Sequence, residues 1–126
     1  MEDLILVVDD ARFAREITKK ALQNGGYENI VEATTAADAL AIFQEKKPCL
    51  TLLDITLPDN PDLALLKKLI AIDPQASIVM CSAIGKDKIV LDALKAGAKD
   101  FILKPYDEKQ FLQVINRVLG DKLEKR

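Results

Sequence analysis

The chain has 126 residues, 49% of them apolar and 30% charged, with no histidine and no tryptophan. A chain of that length forms one domain with a proper core, and no run approaches the roughly 18–20 apolar residues of a membrane span. Lys and Arg number 18 against 20 Asp and Glu, a net charge of −2, which argues against a nucleic-acid surface with its basic excess.

The first residues show no basic segment ahead of a long apolar stretch, so a signal peptide is not expected and the cytoplasm is the expected compartment. Lack of histidine removes the commonest general base and transition-metal ligand. Any metal is then expected to be a hard cation on oxygen ligands. Cys49 and Cys81 form no CxxC pair and read as small apolar residues of a reducing compartment. They would sit at opposite ends of parallel strands, which disfavours a disulfide.

In chain order, "LILVV" (4–8) opens as a strand, and "ARFAREITKKALQN" (11–24) follows with Phe13, Ile17, Ala21 and Leu22 on one helical stripe. Gly25 and Gly26 close that helix. "ENIVEA" (28–33) is the second strand. In "TAADALAIFQEKK" (35–47) Thr35 is the candidate N-cap, three residues before Asp38, and Pro48 forbids continuation. "CLTLLD" (49–54) is the third strand, and "DLALLKKLIAID" (62–73) is a helix ending before Pro74. "SIVMCS" (77–82) precedes "KDKIVLDALKAG" (86–97), which stops at Gly97. "DFILK" (100–104) precedes "DEKQFLQVINRVLG" (107–120), where Asp107 with Gln110 makes a capping-box pattern. The end, "DKLEKR", reads as a solvated charged tail.

Five β-α alternations with short connections imply a parallel sheet with right-handed crossovers and helices on both faces. Leu, Ile and Val fill the strands without strict alternation, as burial on both faces requires. The polar residues gather at the strands' carboxyl ends. Asp9 and Asp10 end the first strand, Asp54 the third, Ser82 the fourth and Lys104 the fifth. Open α/β sheets bind ligands at that edge, where the winding reverses. With the order 2-1-3-4-5, strands 1 and 3 are neighbours there and their acids face one another. Carboxylates so placed repel, and Mg²⁺ is the natural cation to relieve them. A divalent cation beside an ammonium and a hydroxyl is equipped for phosphoryl transfer. Asp54, alone at a central strand, is the better nucleophile, while the adjacent pair holds metal.

"LVVDD", "LLDITLP", "MCSA" and "AGAKDFILKP", in that order across nearly the whole chain, resemble the receiver domain of two-component response regulators. The resemblance implies the flavodoxin-like, CheY-like fold with sheet order 2-1-3-4-5, as one receiver domain over 1–126 with its core at about 3–120. It implies Asp54 as phosphoacceptor. Mg²⁺ would be held by Asp9, Asp10, Asp54 and the backbone carbonyl of Thr56. Ser82 would be the hydroxyl that swings to the phosphoryl group, Lys104 its ionic partner and Phe101 an aromatic switch. The Lys104–Pro105 bond would be cis. A sensor histidine kinase would be the donor, and a downstream protein would meet the face of helix 4, strand 5 and helix 5. The stretch 72–110 looks especially like stand-alone chemotaxis receivers, with the flagellar switch as a candidate target. Neither nucleic acid nor membrane is an expected direct partner.

One departure stands out. After Pro58 the family usually carries an acidic residue, a variable one, Asp or Asn, then Gly; here Pro61 and Asp62 replace the last two. Pro fixes φ and Asp tolerates fewer backbone angles than Gly, so a stiffer loop is expected, with Asp62 as a cap of the third helix. Three rival readings remain beside this one. An N-terminal receiver of a longer DNA-binding regulator would share every motif. A haloacid-dehalogenase-like phosphatase would want D-x-D after its first strand, where this chain has adjacent acids. A flavin binder would want a phosphate loop there, which two aspartates would repel. The expected role is a signalling switch rather than a metabolic enzyme.

Overall fold

The computed structural model describes residues 4–60, 63–83 and 85–124, the last four through their backbone alone. Strands β1 (Ile5–Val8), β2 (Ile30–Ala33), β3 (Leu50–Leu53), β4 (Ile78–Ser82) and β5 (Asp100–Leu103) alternate with five helices. These are α1 (Arg12–Asn24), α2 (Ala36–Lys46), α3 (Ala64–Ile72), α4 (Asp87–Lys95) and α5 (Glu108–Glu124). All strands pair in parallel in the order β2-β1-β3-β4-β5.

Successive strand residues point to opposite faces, and each face is apolar. Leu6, Val8, Leu53, Ile78 and Met80 pack against α2, α3 and α4. Ile5, Val7, Leu50, Leu52, Val79 and Cys81 pack against α1 and α5. Central strands buried on both sides explain why they read as continuous apolar runs. Thr35 caps α2 by accepting from Asp38 N at 3.1 Å. Gly26 and Gly97 take left-handed angles after α1 and α4, at φ 92° and 119°. Asp107 accepts from Lys109 N at the start of α5.

Two expectations change. The apolar stripe of α1 is not buried as one: Ala21 and Leu22 reach the core, whereas Phe13 is 79% exposed and Ile17 47%. The first turns of α1 lie beyond the strand ends, and Thr18 faces inward there instead. At the other terminus α5 continues through Glu124, into the stretch expected to be a tail. Pro61 and Asp62, with the proposed cap at Asp62, lie outside the described residues. Cys49 and Cys81 are not joined in a disulfide.

Candidate functional site

The register of β1 with β3 pairs Val8 with Leu53, so Asp9 and Asp54 each follow their strands at the same level. The chain holds that level beyond the last strand residues, since Asp9 N donates to Ala33 O and Asp54 N to Val8 O. Both carboxylates are buried, Asp9 at 5% exposure and Asp54 at 6%. Lys104 arrives from the end of β5, its backbone N donating to Ser82 O at 2.9 Å. Its Nζ donates to Asp9 Oδ2 at 2.5 Å and to Asp54 Oδ2 at 2.9 Å.

The remaining oxygens are also engaged. Asp9 Oδ1 accepts from Ala11 N at 2.9 Å, tying the acid to the start of α1. Asp54 Oδ1 accepts from Thr56 N at 2.9 Å and Thr56 Oγ1 at 2.8 Å. Burial alone would push the Asp54 carboxyl up, but the Thr56 and Lys104 hydrogen bonds outweigh it and hold it below the usual aspartate range. Burial likewise opposes the charge on Lys104, and the bonds to Asp9 and Asp54 overcome it, so its pKa is raised. Asp54 therefore stays an anion at neutral pH.

Of the other residues singled out from the sequence, Ser82 is fully buried at the end of β4. Phe101 is half-buried in β5 and packs against the α2–α3–α4 side of the core. It lines a cavity of about 530 Å³ with Val90, Leu91, Leu94 and Leu103. The Lys104–Pro105 bond is cis. Asp10, in contrast, is exposed, at the bend that follows β1. Two buried carboxylates converge rather than three, and among the described residues no three His, Cys, Asp or Glu cluster as metal ligands.

Asp9 and Asp54 nevertheless bring carboxylate oxygens together near an exposed acid, a donor chemistry that suits Mg²⁺ in type. Such a cation would share Asp9 and Asp54 with the Lys104 ammonium.

Two contributors escaped sequence reading. Arg15 of α1 donates from Nη1 to Asp9 O at 2.9 Å and from Nε to Glu32 Oε1 at 3.0 Å, with Lys19 also on Glu32. Asp59, in the loop after β3, accepts from Ala36 N and Ala37 N of α2. Both bind backbone atoms, which leave no residue pattern to read.

The model of the "Response regulator receiver domain" family matches residues 5–116. Chemotaxis protein CheY of Bacillus subtilis is 44% identical over 120 residues, covering 95% of this chain and 100% of that protein. Chemotaxis protein CheY of Thermotoga maritima is 40% identical over 114 residues, covering 90% of this chain and 95% of that one. Among solved structures, a CheY-like receiver domain protein of Methanospirillum hungatei superposes with a TM-score of 0.92, at 30% identity and full coverage of both chains.

Proposed function

Since the chain belongs to the response regulator receiver family of phosphoryl-accepting signalling domains, we propose that Asp54 is the residue that takes the phosphoryl group. The donor is a phosphohistidine on a sensor histidine kinase. An Asp54 carboxylate oxygen forms the new O–P bond as the N–P bond breaks, and the imidazole keeps the electron pair. The observation that best supports this is a buried carboxylate kept ionised by Thr56 and Lys104. Asp9, Asp10, Asp54 and the Thr56 carbonyl would hold Mg²⁺, which supplies neutralisation of the phosphoryl oxygens when bound.

Lys104 then exchanges carboxylate contacts for a phosphoryl oxygen, and the Ser82 hydroxyl donates to another. Phe101 turns into the space left behind, which changes the face of α4, β5 and α5 and its affinity for a downstream protein. Leu91, Leu94 and Leu103, each more than 40% exposed, supply apolar area on that face. The chain acts as a cytoplasmic switch, not a metabolic enzyme, with an output in chemotaxis, as the names of its relatives suggest.

Incubation with Mg²⁺ and phosphoramidate, a small P–N phosphodonor, tests the assignment by intact-mass measurement. The wild type should gain one phosphoryl group, and Asp54→Asn or excess chelator should abolish the gain. Undiminished modification of Asp54→Asn would refute the role of Asp54. Lys104→Ala should still accept the group yet fail to change its target affinity.

A further inference from the structure

The loop between β3 and α3 is fastened on its buried side by Ile55, Leu57 and Asn60, while Thr56, Pro58 and Asp59 are exposed. Asn60 Oδ1 accepts from Leu65 N at 2.9 Å, securing the far end to α3. On the near end, Thr56 is held through two bonds to Asp54 Oδ1. Those bonds end on the group that reacts. Apart from the packing of Ile55 and Leu57, a hold on Thr56 that is independent of Asp54 has to come from elsewhere.

Asp59 supplies one. Its Oδ1 accepts from Ala36 N at 2.7 Å and its Oδ2 from Ala37 N at 3.2 Å, across 23 and 22 residues of sequence. Thr35 caps α2 through the Asp38 N–H alone, so Asp59 takes two first-turn N–H groups that this cap leaves open. A carboxylate on the positive end of a helix gains from both hydrogen bonding and the helix dipole.

We propose that Asp59 is a positioning residue, a strap that fixes the Thr56 carbonyl for the cation by tying its loop to the N-terminus of α2. The inference rests on the reading of the site as a Mg²⁺-dependent phosphoacceptor. The carboxyl of Asp59 lies below its ordinary pKa, chiefly through the Ala36 amide, so it is an anion wherever the site works. Asp59 lies three residues beyond Thr56, with Leu57 buried and Pro58 fixed in φ between them. A displacement at Asp59 has little room to dissipate before it reaches Thr56.

The test compares two acceptors on the same helix terminus in the full chain, Asp59→Ala and Thr35→Ala, with Asp59→Asn as the milder variant. Amide exchange of Thr56 N–H reports the loop, and calorimetric titration with Mg²⁺ reports the site. Loss of a cap-type interaction predicts about 3- to 10-fold faster Thr56 exchange and a similarly weaker Mg²⁺ affinity in Asp59→Ala. Asp59→Asn should fall between that variant and wild type. Thr35→Ala should lower thermal stability yet leave both readouts within about twofold of wild type. Equal shifts in Asp59→Ala and Thr35→Ala, or none in Asp59→Ala, overturn the strap. Should the wild type take up no Mg²⁺, the reading of the site fails, while Thr56 exchange still decides whether Asp59 holds the loop.

Discussion

Lys104 Nζ lies 2.5 Å from Asp9 Oδ2 while it also donates to Asp54 Oδ2, so one ammonium serves two carboxylates from different strands. The three residues come from β1, β3 and β5 and meet only because the sheet order brings their ends together. The ammonium holds the oxygens that a divalent cation, on the proposed reading of the site, would share.

Lys104→Met keeps most of the stem volume and removes that competitor. It should bind Mg²⁺ about 3- to 10-fold more tightly, since two buried carboxylates then lack a counterion. In metal-free buffer the same variant should lose roughly 1–3 kcal/mol in urea unfolding, and added Mg²⁺ should restore much of it. Unchanged or weaker Mg²⁺ affinity would show that the ammonium does not compete.

The same contacts set a pH window. The Asp54 carboxyl lies below its ordinary 3.8 in the folded chain. Its contribution is therefore complete above that value and lost as pH falls through the folded pKa. Lys104 lies above its ordinary 10.5, so its contribution is complete below that value and lost as pH rises through the folded pKa. These are two ends of one interaction and count once. Urea midpoints measured against pH should fall less steeply below pH 3.8 in Asp54→Asn than in wild type; parallel acid limbs would contradict this.

Arg15 joins the Asp9 carbonyl to Glu32 of β2 with one guanidinium, its side chain 13% exposed. Arg15→Lys keeps the charge but not the fork, and a single ammonium does not reproduce both bonds. Arg15→Lys and Arg15→Ala should both destabilise, by roughly 1–2 kcal/mol. A thermal melt of Arg15→Lys that matches wild type would show that charge alone suffices.

Thr51 sits in the middle of β3 at 1% exposure, and its hydroxyl has no hydrogen-bond partner among the described residues. A buried hydroxyl without a partner costs about 1–3 kcal/mol, and valine has nearly the same shape. Thr51→Val should therefore stabilise the chain by roughly 1 kcal/mol in urea unfolding. A loss of stability would mean the hydroxyl is satisfied in solution.

Two left-handed positions make an opposed pair. Gly97 has φ 119°, and a Cβ there would also stand 3.0 Å from the Ile70 side chain. Gly97→Ala should cost about 1–2 kcal/mol. Lys47 occupies the left-handed region at φ 48° after α2, where glycine is the usual residue. Lys47→Gly should gain roughly 0.5 kcal/mol, relief of side-chain strain less the added chain entropy. Differential scanning calorimetry on both should show melting temperatures moving in opposite directions.

The strands were legible because they are buried on both faces, and Asp9, Asp54 and Lys104 because each breaks an apolar run. The helix boundaries followed from Thr35, Pro48, Pro74 and Gly97, whose backbone preferences act locally. Periodicity failed in α1. It counts apolar residues but not what lies beneath them, and near Phe13 the strands have already ended. Thr18 was missed for the same reason; it is buried, and its hydroxyl pairs with Tyr106 OH at 2.6 Å. Asp59 was illegible because its partners are backbone N–H groups, present at every position, and Arg15 because it joins the Asp9 carbonyl to a Glu32 side chain 17 residues away. Asp10 is exposed beside the buried Asp9, a difference in depth that adjacency in sequence does not report.

Burial pushes the Cys81 thiol up to about 12, whereas Cys49, just before β3, is partly open to solvent. Only the thiolate is alkylated, so the folded chain offers iodoacetamide two sulfurs of very different reactivity. Slow capture of the second sulfur then times the opening of the central sheet, with no reporter group added to the protein.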